Sequence, residues 1–169
     1  MRFLGDRVVL RGVEFEDIET ILQWENDPEL EPYSDPHEPY TESQIVDFIV
    51  GQKINFEAQG QLRLMICVDN RVVGAIDIFN FDEENADVGV LIYNESDRRQ
   101  GYATDAVKTV IKNVIWTLCI TTLWAIIDQR NVASTALFLG CGFVKVDKNR
   151  YKYEQSCSSV NPIRRLWLS

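Results

Sequence analysis

Hydrophobic positions change period along the chain, and each change predicts an element. Residues 7–13 alternate apolar and polar, as a first strand does. Phe15, Ile18, Ile21 and Leu22 then recur at steps of three and four, which predicts a helix over residues 15–25. That helix should stop at Asn26-Asp27-Pro28, because proline disfavours helical backbone in the residue before it. Thr41-Glu42-Ser43-Gln44 has the form of a capping box and should open a second helix carrying Ile45, Phe48 and Ile49. Residues 62–68 and 72–79 read as two strands joined at Asp69-Asn70-Arg71, a hairpin. Residues 79–85 form a polar turn into a third strand, Asp87-Val88-Gly89-Val90-Leu91-Ile92-Tyr93.

The longest periodic stretch follows. Ala103, Ala106, Val107, Val110, Ile111, Val114, Ile115 and Leu118 share one face of a helix that begins after Arg98-Arg99-Gln100-Gly101-Tyr102. Residues 123–127 form a short apolar run, typical of a buried strand. A helix over residues 132–139 should end at Gly140-Cys141-Gly142, where glycine suits the cap. Residues 143–153 and 163–168 read as a last antiparallel pair across a turn at 156–162. The order is strand, two helices, three strands, long helix, strand, helix, two strands. It predicts one mixed α/β (α+β) domain over residues 1–169, its sheet antiparallel at first and meeting helices in its second half.

Composition narrows the function. With 17 basic and 26 acidic residues the formal charge is −9, which argues against a general nucleic-acid binder and favours cationic partners. No apolar run is long enough to span a bilayer, and the N-terminus lacks the basic-then-apolar pattern of a signal peptide, so a cytoplasmic protein with no membrane role is expected. The four cysteines, Cys67, Cys119, Cys141 and Cys157, form no Cys-x-x-Cys pair, and His37 is the single histidine. No zinc site is expected on that basis. Cys67 and Cys119 sit among apolar residues and read as buried thiols.

The turn before the long helix carries the candidate chemistry. A glycine turn that feeds a helix leaves several N–H donors, and the positive end of the helix dipole, aimed at one spot. Arg98 and Arg99 add positive charge. The ligand should therefore carry phosphate. A nucleoside-triphosphate loop needs Gly-Lys-Ser/Thr, whereas Gly101 is followed by Tyr102 and Ala103. A dinucleotide fold needs Gly-x-Gly-x-x-Gly near the first strand, which is absent.

Arg98-x-x-Gly101-x-Ala103 resembles the coenzyme A pyrophosphate signature of the GNAT family of N-acetyltransferases. The resemblance extends over residues 7–168, through the preceding strand, the long helix, the strand after it, and a helix beginning at Asn131 with Ser134 and Gly142-Phe143 downstream. Trp24-Glu25-Asn26-Asp27-Pro28-Glu29, Val73-Gly74-Ala75-Ile76-Asp77-Ile78-Phe79 and Ala86-Asp87-Val88-Gly89 are similar to the branch that holds the ribosomal-protein N-terminal and spermidine (diamine) acetyltransferases. His37-Glu38-Pro39-Tyr40 resembles the entry to the second helix in the diamine enzymes.

The resemblance implies a mostly antiparallel sheet flanked by helices, with two central strands splayed to admit acetyl-CoA as co-substrate. The backbone of Leu91, Ile92 and Tyr93 would pair with the pantetheine arm, and one amide would hold the developing oxyanion. Arg98, Arg99, Gln100, Gly101, Tyr102, Ala103 and Thr104 would cradle the pyrophosphate, and Asn131, Ser134 and Phe138 would touch the coenzyme from the later helix. Asp87 or Asp77 would take the proton of the attacking amine, directly or through water. Glu31, Asp35 and Glu38, in the acidic loop of residues 29–40, would bind a small cationic amine or a basic protein N-terminus. Many family members place a tyrosine, the acid for the leaving thiolate, where this chain has Phe138. Ser134 or water would then replace it; the alternative is a non-catalytic acyl-CoA-binding module. A homodimer or larger homo-oligomer is also expected.

Overall fold

The computed structural model describes residues 1–30, 37–82 and 84–155. Its strands are β1 (Arg2–Leu4), β2 (Val9–Gly12), β3 (Gln61–Val68), β4 (Arg71–Asp82), β5 (Asn85–Ile92), β6 (Thr122–Ile126), β7 (Val144–Lys145) and β8 (Arg150–Glu154). The helices are α1 (Ile18–Glu25), α2 (Glu42–Gln59), α3 (Tyr102–Thr109), α4 (Ile115–Thr117) and α5 (Val132–Gly140). A π-helical turn, Val110–Val114, joins α3 to α4. The strands form one sheet in the order β1-β2-β3-β4-β5-β6-β8-β7. All neighbours are antiparallel except β5 and β6, which run parallel.

Helices cover both faces. Leu62, Leu64 and Ile66 of β3 join Ile76 and Ile78 of β4 and Val107, Val110 and Val114 in one core. Met65, Cys67 and Ala75 face the other way, onto Ile21 and Trp24 of α1 and Ile45 and Ile49 of α2. Successive side chains of a strand point to opposite faces, so a strand apolar at nearly every position sits between two helical layers. Thr41 caps α2 through a reciprocal bond with Gln44, the capping box expected there. Asp69 and Asn70 turn the β3–β4 hairpin with φ of 47° and 63°, values that Asn and Asp tolerate.

The parallel pair is the feature that positions the site. Its register is Asn85↔Thr122, Ala86↔Leu123 and Asp87↔Trp124, and there it stops. Yet β5 continues to Ile92 and β6 to Ile126. Beyond Asp87 the two strands part and leave one edge of β5 open, the splayed pair that the resemblance implied.

Four expectations are corrected. The chain begins with a β1–β2 hairpin rather than a single strand over residues 7–13, because Gly5 and Asp6 make a turn that the alternation concealed. Residues 79–85 are not a turn: β4 runs on to Asp82 across a bulge. Residues 143–153 fold back on themselves as β7 and β8, with the polar residues Asp147, Lys148 and Asn149 between them; residues 163–168 lie outside the described residues. Cys119 is exposed, at the positive-φ end of the long helix, whereas Cys67 is buried as expected.

Candidate active site

The open edge of β5 is the first component. Tyr93 N–H donates to Val73 O at 3.0 Å, and a Cβ on Gly74 would lie 2.0 Å from Leu91 O. Leu91 and Tyr93 therefore turn backbone groups toward β4. Polar groups alternate sides along an antiparallel strand, so those of Ile92 face the gap beside β6. Of the three residues expected to pair with a pantetheine arm, Ile92 is the one whose backbone groups turn to that gap. Arg98 holds this strand end, its Nε donating to Ile92 O at 3.1 Å and its Nη2 to Tyr93 O at 2.9 Å.

The second component is the turn into α3. Arg99 and Gly101 have φ of 61° and 81°, and Gly101 is the residue before the helix. A positive φ is cheap for glycine and costs other residues about 1–2 kcal/mol. The N–H groups of Tyr102, Ala103 and Thr104 belong to the first helical turn and have no partner within the helix. Ion pairs and side-chain bonds brace the turn. Arg71 makes two bonds of 2.7 Å to Asp97, which is 6% exposed, and holds its carboxyl below the usual range. On the other flank, Arg7 Nη1 donates to Gln100 O at 2.8 Å. Asp105, in the first turn of α3, accepts the N–H groups of Asp6, Arg7 and Val8 at 3.2, 2.7 and 2.9 Å. The sequence carries no local signal for this contact, since Arg7 and Gln100 are 93 positions apart.

The later helix holds the next expected residues. Asn131 spends its Oδ1 as the cap of α5, accepting Ser134 N–H at 3.0 Å. The Ser134 residue is half-buried. Phe138 is buried and packs edge-on to Phe143, centroid to centroid 4.9 Å, so no proton donor stands at that position. Burial pushes the Cys141 thiol up, and its Sγ lies 3.8 Å from Thr104 O, where α5 meets α3.

On the face toward α1 and α2 lie the carboxylates. Asp87 sits at the fork, the last β5 residue in register with β6. Its Oδ2 accepts from Asn80 Nδ2 at 2.8 Å. Asn80 occupies the β4 bulge with φ of 53°, a conformation asparagine reaches more easily than most residues. Asp77, one cross-strand position along, is differently engaged. Arg63 grips it with two bonds, Nε to Oδ1 at 2.8 Å and Nη2 to Oδ2 at 2.9 Å, and Gln61 adds a third at 2.9 Å. Arg63 also pairs with Glu25 of α1. Burial opposes the Arg63 charge, but Asp77 and Glu25 outweigh it and raise its pKa. Both oxygens of Asp77 are thus engaged by Arg63, whereas Asp87 carries the bond from Asn80.

Asp27, which the sequence reading did not single out, accepts Tyr93 O–H at 2.7 Å. That bond lowers the Asp27 carboxyl and raises the Tyr93 phenol. Tyr93 also stacks on Trp24 at 5.3 Å. Asn26 and Tyr40 bond reciprocally, at 2.7 and 2.9 Å, and tie together the ends of the acidic loop. Glu38 is exposed there; Glu31 and Asp35 lie outside the described residues.

The parallel pair that parts beyond Asp87 and the glycine turn into α3 are the features that the resemblance associated with a thioester coenzyme. A profile of the acetyltransferase (GNAT) domain matches residues 7–144. The chain belongs to the GNAT acetyltransferase family. Membership makes it an acetyltransferase with acetyl-CoA as co-substrate. No curated protein matches the sequence. Among solved structures, this GNAT chain is similar to a Vibrio cholerae spermidine N-acetyltransferase bound to CoA and spermine (TM-score 0.75, 15% identity, 89% of this chain and 97% of that one). It is similar to a ribosomal α-N-protein acetyltransferase in complex with coenzyme A (TM-score 0.72, 12% identity, 91% and 98%). It is also similar to a Bacillus anthracis GNAT acetyltransferase (TM-score 0.71, 17% identity, 91% and 98%). At these identities the likeness is one of fold.

Proposed function

We propose that this GNAT protein transfers the acetyl group of acetyl-CoA to a primary amine, with Asp87 as the base and a small polyamine-like molecule or a protein N-terminus as acceptor. The observation that carries this reading is the position of Asp87, at the fork where β5 and β6 part. The pantetheine arm enters the gap along Ile92, and the diphosphate rests on the N–H groups from Arg99 to Thr104. An alkylamine is mostly protonated at neutral pH, so a base must first remove a proton. Asp87 accepts it, directly or through water. The free amine attacks the thioester carbon, and Ile92 N–H holds the oxyanion that forms. The attacking nitrogen then gives up its second proton to water, and the C–S bond breaks, giving the neutral amide and the coenzyme thiolate.

Phe138 supplies no proton to that thiolate. The thiolate leaves without a side-chain acid, which its modest basicity permits, and takes its proton from water or Ser134. The acidic composition and the carboxylates of the residue 29–40 loop favour a cationic acceptor, and the small amine fits that bias better than a long peptide.

The test is a thiol-release assay with acetyl-CoA, comparing spermidine with basic N-terminal peptides. Turnover with one of them, and coenzyme A binding about tenfold weaker in Gly101→Val through the strain of a positive φ, are expected. Calorimetric binding of acetyl-CoA without thiol release on any amine, and without change in Asp87→Asn, would establish a non-catalytic acyl-CoA module instead.

A further inference from the structure

The diphosphate turn is held from outside its own stretch of chain, by the hairpin at the N-terminus. Gln100 C=O and Gly101 N–H belong to one trans peptide, so they point in opposite directions. Arg7 donates to the Gln100 oxygen and thereby fixes the Gly101 N–H on the side away from itself. A cation on the carbonyl also polarises that N–H as a donor. Arg7 is in turn fixed through its backbone, because Asp105 accepts three consecutive N–H groups of the β1–β2 turn. The fit is tight. A Cβ on Gly5 would meet Asp105 Oδ2 at 2.5 Å and Thr109 Oγ1 at 2.6 Å, so only glycine lets the turn seat against α3. The contacts close a circuit: α3 holds the hairpin, the hairpin carries Arg7, and Arg7 orients the turn that begins α3.

We infer that Arg7 is a positioning residue for the coenzyme diphosphate, holding the Gln100–Gly101 peptide in the orientation that presents its N–H to phosphate. This rests on the coenzyme A reading of the turn. Arg7 acts through the peptide and does not read the rest of the nucleotide. Its loss should therefore weaken every ligand that carries the diphosphate, whether or not the ligand has the 3′-phosphate.

The experiment measures binding of coenzyme A and 3′-dephospho-coenzyme A to the full chain by calorimetry, for wild type, Arg7→Met, Arg7→Lys and Gly5→Ala. Arg7→Met should weaken both ligands alike, about tenfold, the size of one charged hydrogen bond. Arg7→Lys should recover most of that loss, since an ammonium can still donate to the Gln100 carbonyl. Gly5→Ala should reproduce the loss without altering Arg7, by lifting the turn off Asp105. Binding by Arg7→Met within about twofold of wild type overturns the inference, being below the effect of one such bond. A loss confined to coenzyme A, absent for the dephospho form, overturns it in favour of direct contact with the 3′-phosphate. Wild-type protein that binds neither ligand overturns the coenzyme reading itself.

Discussion

The donor side and the acceptor side of the slot are held by different kinds of bond. On the donor side, most bracing bonds run from side chain to backbone: Arg98 to the carbonyls of Ile92 and Tyr93, Arg7 to that of Gln100, Asp105 to the amides of the β1–β2 turn, with one side-chain pair, Arg71–Asp97, behind them. In the proposed coenzyme site, the groups aimed at the ligand are main-chain N–H groups, which every residue but proline carries. On the acceptor side, side chains hold side chains: Arg63 holds Asp77 and Glu25, Asn80 holds Asp87, and Tyr93 holds Asp27. A binding site made of backbone survives much sequence change. One made of carboxylates changes its chemistry with each substitution.

The largest effect that tests this division is on stability. Arg63→Met leaves Asp77 and Glu25 without their cation in a half-buried setting, and should cost about 3–5 kcal/mol, read as a shift of the urea midpoint. Asp77→Asn keeps the Glu25 pair and should cost less, about 1–2 kcal/mol, while turnover per folded molecule stays near wild type. An Asp77→Asn protein of normal stability and no turnover would break the comparison and move the base from Asp87 to Asp77.

The same division explains what could be read from sequence. The turn at Arg98–Ala103 was legible because its demands are local: a glycine at positive φ, a helix beginning after it and a strand before it. The capping box at Thr41 was legible for the same reason. In sequence, Asp87 and Asp77 were both candidate bases, Asp87 favoured by its place in the resemblance. Their partners differ in the structure: Arg63, fourteen positions from Asp77, and Asn80, set in a bulge that polar composition disguised as a turn. Arg7 and Asp105 gave no sign at all, since their roles exist only once the first strands lie beside α3. Which way the β5 amides turn was likewise hidden, and a glycine facing Leu91 O across the strand pair decides that.

A smaller effect falls on chemistry. Asp87→Asn should lower kcat about a hundredfold, within the range for loss of a general base, with little change in acetyl-CoA affinity. Asn80→Gly is the finer probe, because glycine accepts the φ of 53° and removes only the amide that holds Asp87. It should lower kcat about three- to tenfold, the cost of one lost orienting bond, with the fold intact. If Asn80→Gly matches wild type while Asp87→Asn fails, the carboxylate needs no such holder, and the acceptor side is simpler than its bonds imply.

The smallest effect belongs to the donor side and depends on pH. Arg71 holds the Asp97 carboxyl below its ordinary value of about 3.9. A group whose folded pKa is depressed contributes stability that is fully present above its unfolded pKa and is lost as pH falls through the lower folded value. The brace on the turn should therefore be complete at neutral pH and weaken only in acid, below about pH 4. Asp97→Asn removes that contribution at every pH. The melting temperatures of variant and wild type should differ at pH 7 and converge as the pH falls below about 4. Coenzyme A affinity measured at pH 7 should fall modestly in the variant, because Asp97 and Arg71 hold the segment just before Arg98. A gap in melting temperature that stayed constant down to pH 3 would mean that Asp97 acts through its shape and neutral hydrogen bonds, and that the turn is braced by Arg98 and Arg7 without help from this ion pair.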